Sequence, residues 1–179
     1  MLGFQLMRSS LRINSFSGFT LIELIVAITV LAILATLAVP NITDLIRNNR
    51  VTSQNNELVA MLNFARNESL RRNDQVPVNL TALADGWSGE VLSPDGDADT
   101  QGCTVGVLRC ASYDNVSLNA NVSLTFNRRG YLTNFQNVTL YLQHQGCTGE
   151  RQRQRIEIRP TGQVNSCSVP CDDTETQCN

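Results

Sequence analysis

The chain has 179 residues, room for one ordinary domain with extensions and too few for a large catalytic barrel. Its 14 cationic side chains are all arginine, its acids number 16, and a net charge of −2 argues against a dedicated nucleic-acid binder. Apolar residues make up 42% and are unevenly placed, crowding into one window near the N-terminus.

That window, Phe19 to Val39, is an unbroken run of 21 residues whose only charge is Glu23. At about 1.5 Å per residue a helix of this length spans roughly 30 Å, the thickness of a bilayer's hydrocarbon core. The preceding residues carry Arg8 and Arg12 and no acid, which places the N-terminus in the cytoplasm and everything after Val39 on the far side. A cleavable secretory signal fits poorly, because the run is too long and no Ala-x-Ala site precedes Pro40. An ionised Glu23 inside hydrocarbon costs at least a few kcal/mol, so it requires a partner.

The residues around it, Gly18-Phe19-Thr20-Leu21-Ile22-Glu23, resemble the class III signal of type IV pilins and of the pseudopilins of type II secretion. The resemblance implies that residues 1–18 are a leader, cut after Gly18 by a prepilin peptidase that also methylates the new amino terminus at Phe19. It implies that Glu23 pairs with the N-terminal amine of a neighbouring subunit as the chain passes from membrane to fibre, a pairing that makes a buried carboxylate tolerable. Pro40 matches the family's proline at the end of this run, where a missing N–H and a ring clash weaken the helix and favour a bend.

From Asn41 to Arg72 the pattern stays helical but is less apolar, with Ile42, Leu45 and Ile46, then Leu58, Met61, Leu62 and Ala65 at spacings of three and four. We expect one face to pack and the polar stretch from Arg47 to Asn56 to form an exposed stalk. Glu68 lies at ion-pairing distance along a helix from Arg71 and Arg72. The chain thus divides into a leader (1–18), a membrane or fibre-core helix (19–39), an amphipathic continuation (40–73) and a head (74–179).

After Asp74 the period becomes that of strands: Val76, Val78 and Leu80; Val122, Leu124 and Phe126; Val138, Leu140 and Leu142; Ile156 and Ile158. Turn chemistry falls at Pro94-Asp95-Gly96, Arg129-Gly130 and Pro160-Thr161-Gly162. The expectation is an α+β fold of type IV pilin kind, a long helix whose C-terminal half lies across an antiparallel sheet.

Three segments together resemble the GspH/FimT group of minor pilins and pseudopilins: Phe64-Ala65-Arg66-Asn67-Glu68-Ser69, Leu124 to Leu132, and Arg155 to Gly162. Some FimT-like members bind DNA through a C-terminal Gly-Arg-x-Arg motif; the aligned residues here are Gly162-Gln163-Val164-Asn165, without either arginine. Four arginines lie upstream, Arg151, Arg153, Arg155 and Arg159, on one side of a strand and its approach. They are weighed as DNA contacts against a solvated sheet face, and the solvated face is preferred.

All six cysteines, Cys103, Cys110, Cys147, Cys167, Cys171 and Cys178, fall on the extracytoplasmic side, where disulfides form. If the strand from Val138 runs up, Arg153 to Arg159 runs down and Gln163 to Ser166 runs up again, Cys147 meets Cys167 at the top. Cys103–Cys110 and Cys171–Cys178 then close short loops. Zinc is the rival reading, but there is no Cys-x-x-Cys, and His144 is the sole histidine.

No enzyme chemistry is expected, since no nucleophile motif, metal set or paired carboxylate stands out. Asp95-Gly96-Asp97-Ala98-Asp99 starts like a calcium loop, but Thr100 and Gly106 stand where that loop needs a glycine and a glutamate, so it is read as solvated. Trp87 is read as core. No cofactor or metal is expected. The expected partners are a prepilin peptidase, other major and minor pilins or pseudopilins, and the inner membrane before assembly, with nucleic acid a secondary candidate. The expected role is a low-copy FimT/FimU-like minor pilin priming pilus assembly near the tip, with contributions to twitching, adhesion or DNA uptake; the alternative is a GspH-like minor pseudopilin of type II secretion.

Overall fold

The computed structural model describes residues 18–96, 102–149 and 152–172, without the side chains of 37–41 and 152. Among the described residues one helix, α1 (Leu21–Arg72), is followed by eight strands: β1 (Val76–Leu83), β2 (Gly86–Leu92), β3 (Val107–Asp114), β4 (Val116–Leu118), β5 (Val122–Phe126), β6 (Val138–His144), β7 (Gln152–Ile158) and β8 (Val164–Pro170). The chain divides between Ile42 and Thr43 into two compact units, the first carrying the start of α1 and the second the rest.

Both helix ends follow from local chemistry. Thr20 caps the start, its hydroxyl accepting from the Glu23 N–H at 3.3 Å, and Glu23 places a negative charge in the first turn. At the other end Asn73 takes a left-handed φ of 53°, and the Asp74 N–H returns to the Ser69 carbonyl at 3.2 Å, closing the last turn with Arg71 and Arg72 inside it. Pro40 does not end the helix, which runs on through it to Arg72.

In the second unit α1 buries Val51, Leu58, Met61, Leu62, Ala65 and Ser69, a stripe at helical spacing. Ile42, Leu45 and Ile46 are exposed instead of joining that stripe. The expected stalk also departs from expectation, because Gln54 and Asn55 are buried in the head. Gln54 accepts from Trp87 Nε1 at 2.8 Å and donates to the Asp114 carbonyl at 3.0 Å, while Asn55 donates to the Ser166 hydroxyl at 3.2 Å. A polar helix face is buried where both neighbouring surfaces supply partners for it.

The head holds two four-stranded antiparallel sheets, ordered β3-β2-β1-β5 (sheet A) and β4-β6-β7-β8 (sheet B), where the sequence suggested one. The first crossing from sheet A to sheet B takes one residue, Asn115, whose φ of 66° turns β3 into β4 and whose N–H donates to the Asp85 carbonyl at 2.7 Å; β5 returns to sheet A and β6 to sheet B. Val76, Val78, Leu80, Trp87, Leu124 and Phe126 from sheet A and Leu140, Leu142, Ile156 and Ile158 from sheet B form one core with the helix stripe. Gly89 allows the close approach of α1 to sheet A: a Cβ there would lie 2.8 Å from Met61 Sδ and 3.0 Å from Leu80 Cδ2.

Candidate functional site

The first turns of α1 present apolar side chains on every side. Phe19 is 86% exposed, and Leu21, Ile22, Leu24, Ile25, Val26, Ile28, Val30, Leu31, Ile33 and Leu34 are all exposed too. An all-round apolar helix surface is the pattern of a membrane span or of a helix packed among others, and cannot be a free solvent face. Glu23 sits in the first turn, exposed, five positions after Gly18. Among the described residues no helix is long and apolar enough to cross a membrane; the run expected from Phe19 to Val39 passes beyond Thr36 into side chains outside the description. The side chain of Pro40 also lies there, and residues 1–17 of the expected leader lie outside the described residues.

The arginines of β7 lie on the outer face of sheet B, as alternation requires, but they are engaged. Arg153 Cζ lies 4.0 Å from the Tyr141 ring centroid and Arg155 Cζ 5.7 Å from the same ring, where a guanidinium meets the negative face of the aromatic. Arg155 Nε is 2.8 Å from Glu157 Oε1, and the two side chains are only 11% and 16% exposed. Arg159, past the strand end, is exposed, and lines with Asn137, Thr139, Arg155 and Glu157 a pocket of about 280 Å³. Arg151 lies outside the described residues. A phosphate-tracking row needs cations free of carboxylates, and Glu157 occupies the centre of this one.

The cysteine pairing differs from expectation at the top of sheet B. Cys103 is bonded to Cys110, and Cys147 to Cys171, with Cα atoms 5.8 and 5.6 Å apart. The expected Cys147–Cys167 and Cys171–Cys178 pairs are therefore not formed. The reason is strand length: β8 continues to Pro170 instead of stopping at Ser166, so Cys167 lies in mid-strand opposite Arg155, four residues or roughly 13 Å below the turn. Cys171, the first residue past β8, reaches the turn after β6, where its N–H donates to the Gly149 carbonyl at 3.1 Å. Cys167 is itself disulfide-bonded, and Cys178 lies outside the described residues.

The three segments that carried the GspH/FimT resemblance meet at one point, which their separation in the chain conceals. Arg66 Nε donates to the Gly130 carbonyl at 3.2 Å. Gly162 packs onto that same carbonyl so closely that a Cβ would lie 1.9 Å from its oxygen. The Leu132 N–H donates to the Pro160 carbonyl at 2.9 Å, tying the second turn to the third. Elsewhere in the last turns of α1 the buried Glu68 carboxylate accepts from Arg71 Nε at 3.0 Å and Nη2 at 2.6 Å and from Arg72 Nε at 2.9 Å. The Arg71 bonds, with those of Arg72, hold the Glu68 carboxyl below its ordinary range against the opposing effect of burial.

Trp87 is fully buried in the core. No group of three or more histidine, cysteine, aspartate or glutamate side chains suited to a metal exists among the described residues, and Asp97, Asp99 and Thr100 of the acidic loop lie outside them. One cluster that periodicity could not reveal is Arg109 of β3, whose guanidinium bonds Glu57 at 2.7 Å and stacks 5.7 Å from the Phe64 ring, binding α1 to the edge of sheet A.

The fold resembles crystal structures of the type IV minor pilin FimU of Pseudomonas aeruginosa (strain PAO1). The P21 form matches at 20% identity and a TM-score of 0.52, over 74% of this chain and 97% of that one. The P65 form matches at 21% identity and a TM-score of 0.50, over 72% and 99%. No match is found among curated proteins. The prokaryotic N-terminal methylation motif matches residues 13–39, spanning Gly18, Phe19 and Glu23. The family described as type II transport protein GspH matches residues 54–162, from the buried amides of α1 to the glycine of the last turn. With more than half its length so matched, the chain belongs to the GspH family of minor pilins and pseudopilins.

Proposed function

We propose that the chain is a FimT/FimU-like minor subunit of a type IV pilus, present at low copy near the tip and helping to prime assembly. The observation that carries this reading is the all-round apolar surface from Phe19 to Leu34, which a lone subunit leaves uncovered. A bilayer covers it before assembly and other pilin helices cover it afterwards. In this reading a prepilin peptidase cuts after Gly18 and methylates Phe19, and Glu23 neutralises the amine of the neighbouring subunit. The subunit waits in the inner membrane with its head in the periplasm, and the bonded cysteines suit that compartment. Twitching, adhesion and DNA uptake are the traits such a subunit serves. Direct DNA contact by Arg153 and Arg155 is disfavoured by their contacts with Tyr141 and Glu157.

The second reading is a minor pseudopilin of type II secretion, favoured by the description of the matching family. The same processing and membrane chemistry serve both machines. Deleting the gene separates them: lost twitching with normal export of secreted enzymes supports the pilus, and lost export with normal twitching overturns it in favour of secretion.

A further inference from the structure

Where α1 passes the paired ends of β4 and β6, a notch of about 160 Å³ is lined by Arg47, Arg50, Asn115, His144 and Gln145. Arg47 and Arg50, three residues apart, project from one helix face. The opposite wall is held rigidly. Asn115 is fixed by its left-handed backbone and its bond to the Asp85 carbonyl, and the Gln145 amide is oriented by a hydrogen bond to the Asp85 carboxylate. His144 is buried, with Nδ1 2.6 Å from the Gln145 carbonyl oxygen, which places the ring proton on Nδ1.

No carboxylate lines the notch. The acids around it are Asp85, taken by Gln145, Asp44, half exposed and 3.6 Å from Arg47, and Asp114, which lines the neighbouring pocket with Arg50 and Asn115. The Arg50 side chain has no ion-pair or hydrogen-bond partner among the described residues. Two guanidinium groups facing one small space select an anion; the His144 Nδ1–H and the Gln145 amide are already given to the Gln145 carbonyl and to Asp85. The volume lies well below the roughly 300–1,000 Å³ of a drug-sized ligand pocket, so one functional group fits and a whole nucleotide does not. Two forked guanidinium donors together suit a tetrahedral group with several free oxygens better than a planar carboxylate, which one fork satisfies.

We propose that this notch binds a phosphate group, free or carried by an anionic lipid headgroup, with Arg47 and Arg50 as its charged ligands. The inference stands apart from the choice between pilus and secretion system. It uses residues that neither the leader, nor the arginines of β7, nor the Arg66 junction involves.

His144 is the only histidine, so ring-labelled full-length protein gives one imidazole signal and an unambiguous probe. In detergent, inorganic phosphate titrated at constant ionic strength should shift that signal saturably. Arg47→Gln and Arg50→Gln should each weaken the effect by about tenfold, and Arg128→Gln, in a distant turn, should leave it unchanged. In nanodiscs, a signal already displaced with phosphatidylglycerol but not phosphatidylcholine, and restored by Arg50→Gln, assigns the headgroup. Equal signals in the two lipids with a retained phosphate shift assign the free ion. The proposal is overturned by an equal response to acetate, by a shift that persists in the double variant, or by no response to phosphate or lipid.

Discussion

Arg66 reaches 64 residues along the chain to donate its Nε–H to the carbonyl oxygen of Gly130, and Gly162 closes over that same carbonyl. One helix side chain thereby fixes two turns that join different strands. Gly162 has a φ of 76° and no space for a Cβ, so Gly162→Ala should lower unfolding stability by about 3 kcal/mol or more in denaturant titration. Gly146→Ala, at a φ of 73° but in open space, should cost only about 1–2 kcal/mol. Equal costs at the two sites would show that the packing onto Gly130 is unimportant.

Glu68 makes the last turn of α1 sensitive to acid. Its folded carboxyl titrates below the ordinary 4.5, so the stability it contributes is fully present above that pH and is lost as pH falls through the lower folded value. Glu68→Gln should flatten the acid limb of the stability curve below pH 4.5 and leave its slope at neutral pH unaltered. An unchanged acid limb would remove Glu68 from this role.

Trp87 reports on the helix-to-sheet contact and is the only tryptophan. Gln54→Leu leaves its indole N–H buried without an acceptor, which should cost about 1–3 kcal/mol and alter the tryptophan emission of the native state. Native stability and emission like the parent's would mean that another acceptor serves the indole.

Peptide mapping of the oxidised protein should recover Cys147 linked to Cys171; recovery of Cys147 linked to Cys167 would refute the assignment. Replacing Cys147 and Cys171 together by serine opens a longer loop than replacing Cys103 and Cys110, whose separations are 24 and 7 residues. The chain-entropy estimates are about 3.5 and about 2.5 kcal/mol, so the first pair should lower the melting temperature more.

Gly18→Val should block processing and retain the leader, visible by mass. Glu23→Val should be processed normally but enter fibres poorly. Normal incorporation of Glu23→Val would remove the role assigned to that carboxylate.

The class of fold could be read from the sequence because helix and strand periodicity survive in the residues that form the core, such as Leu58, Met61 and Leu62, or Val76, Val78 and Leu80. Three strands escaped that reading. Gly86–Leu92 contains two glycines and packs its face through Trp87 and Gly89, Val107–Asp114 is mostly half-buried, and Val116–Leu118 is three residues long. Gln54 and Asn55 looked solvated because composition cannot show that a tryptophan and a serine far along the chain supply their partners. The Cys147 pairing turned on the length of β8, and strand ends are set by tertiary pairing more than by local pattern. The N-terminal methylation motif was legible because its chemistry is local in the chain. The Arg66 junction and the Arg50 notch were not, since each is assembled from turns distant in sequence.

Gln54 and Asn55 are consecutive on α1 but are anchored to different sheets. Neighbouring helix residues point about 100° apart, so sliding α1 by one residue would carry both amides away from their partners at once. Tension applied along α1 is therefore resisted in shear by both sheets together and does not peel one sheet away first. Under the proposed role, in which the helix draws the subunit out of a membrane, that shared resistance would keep the head with the helix under load.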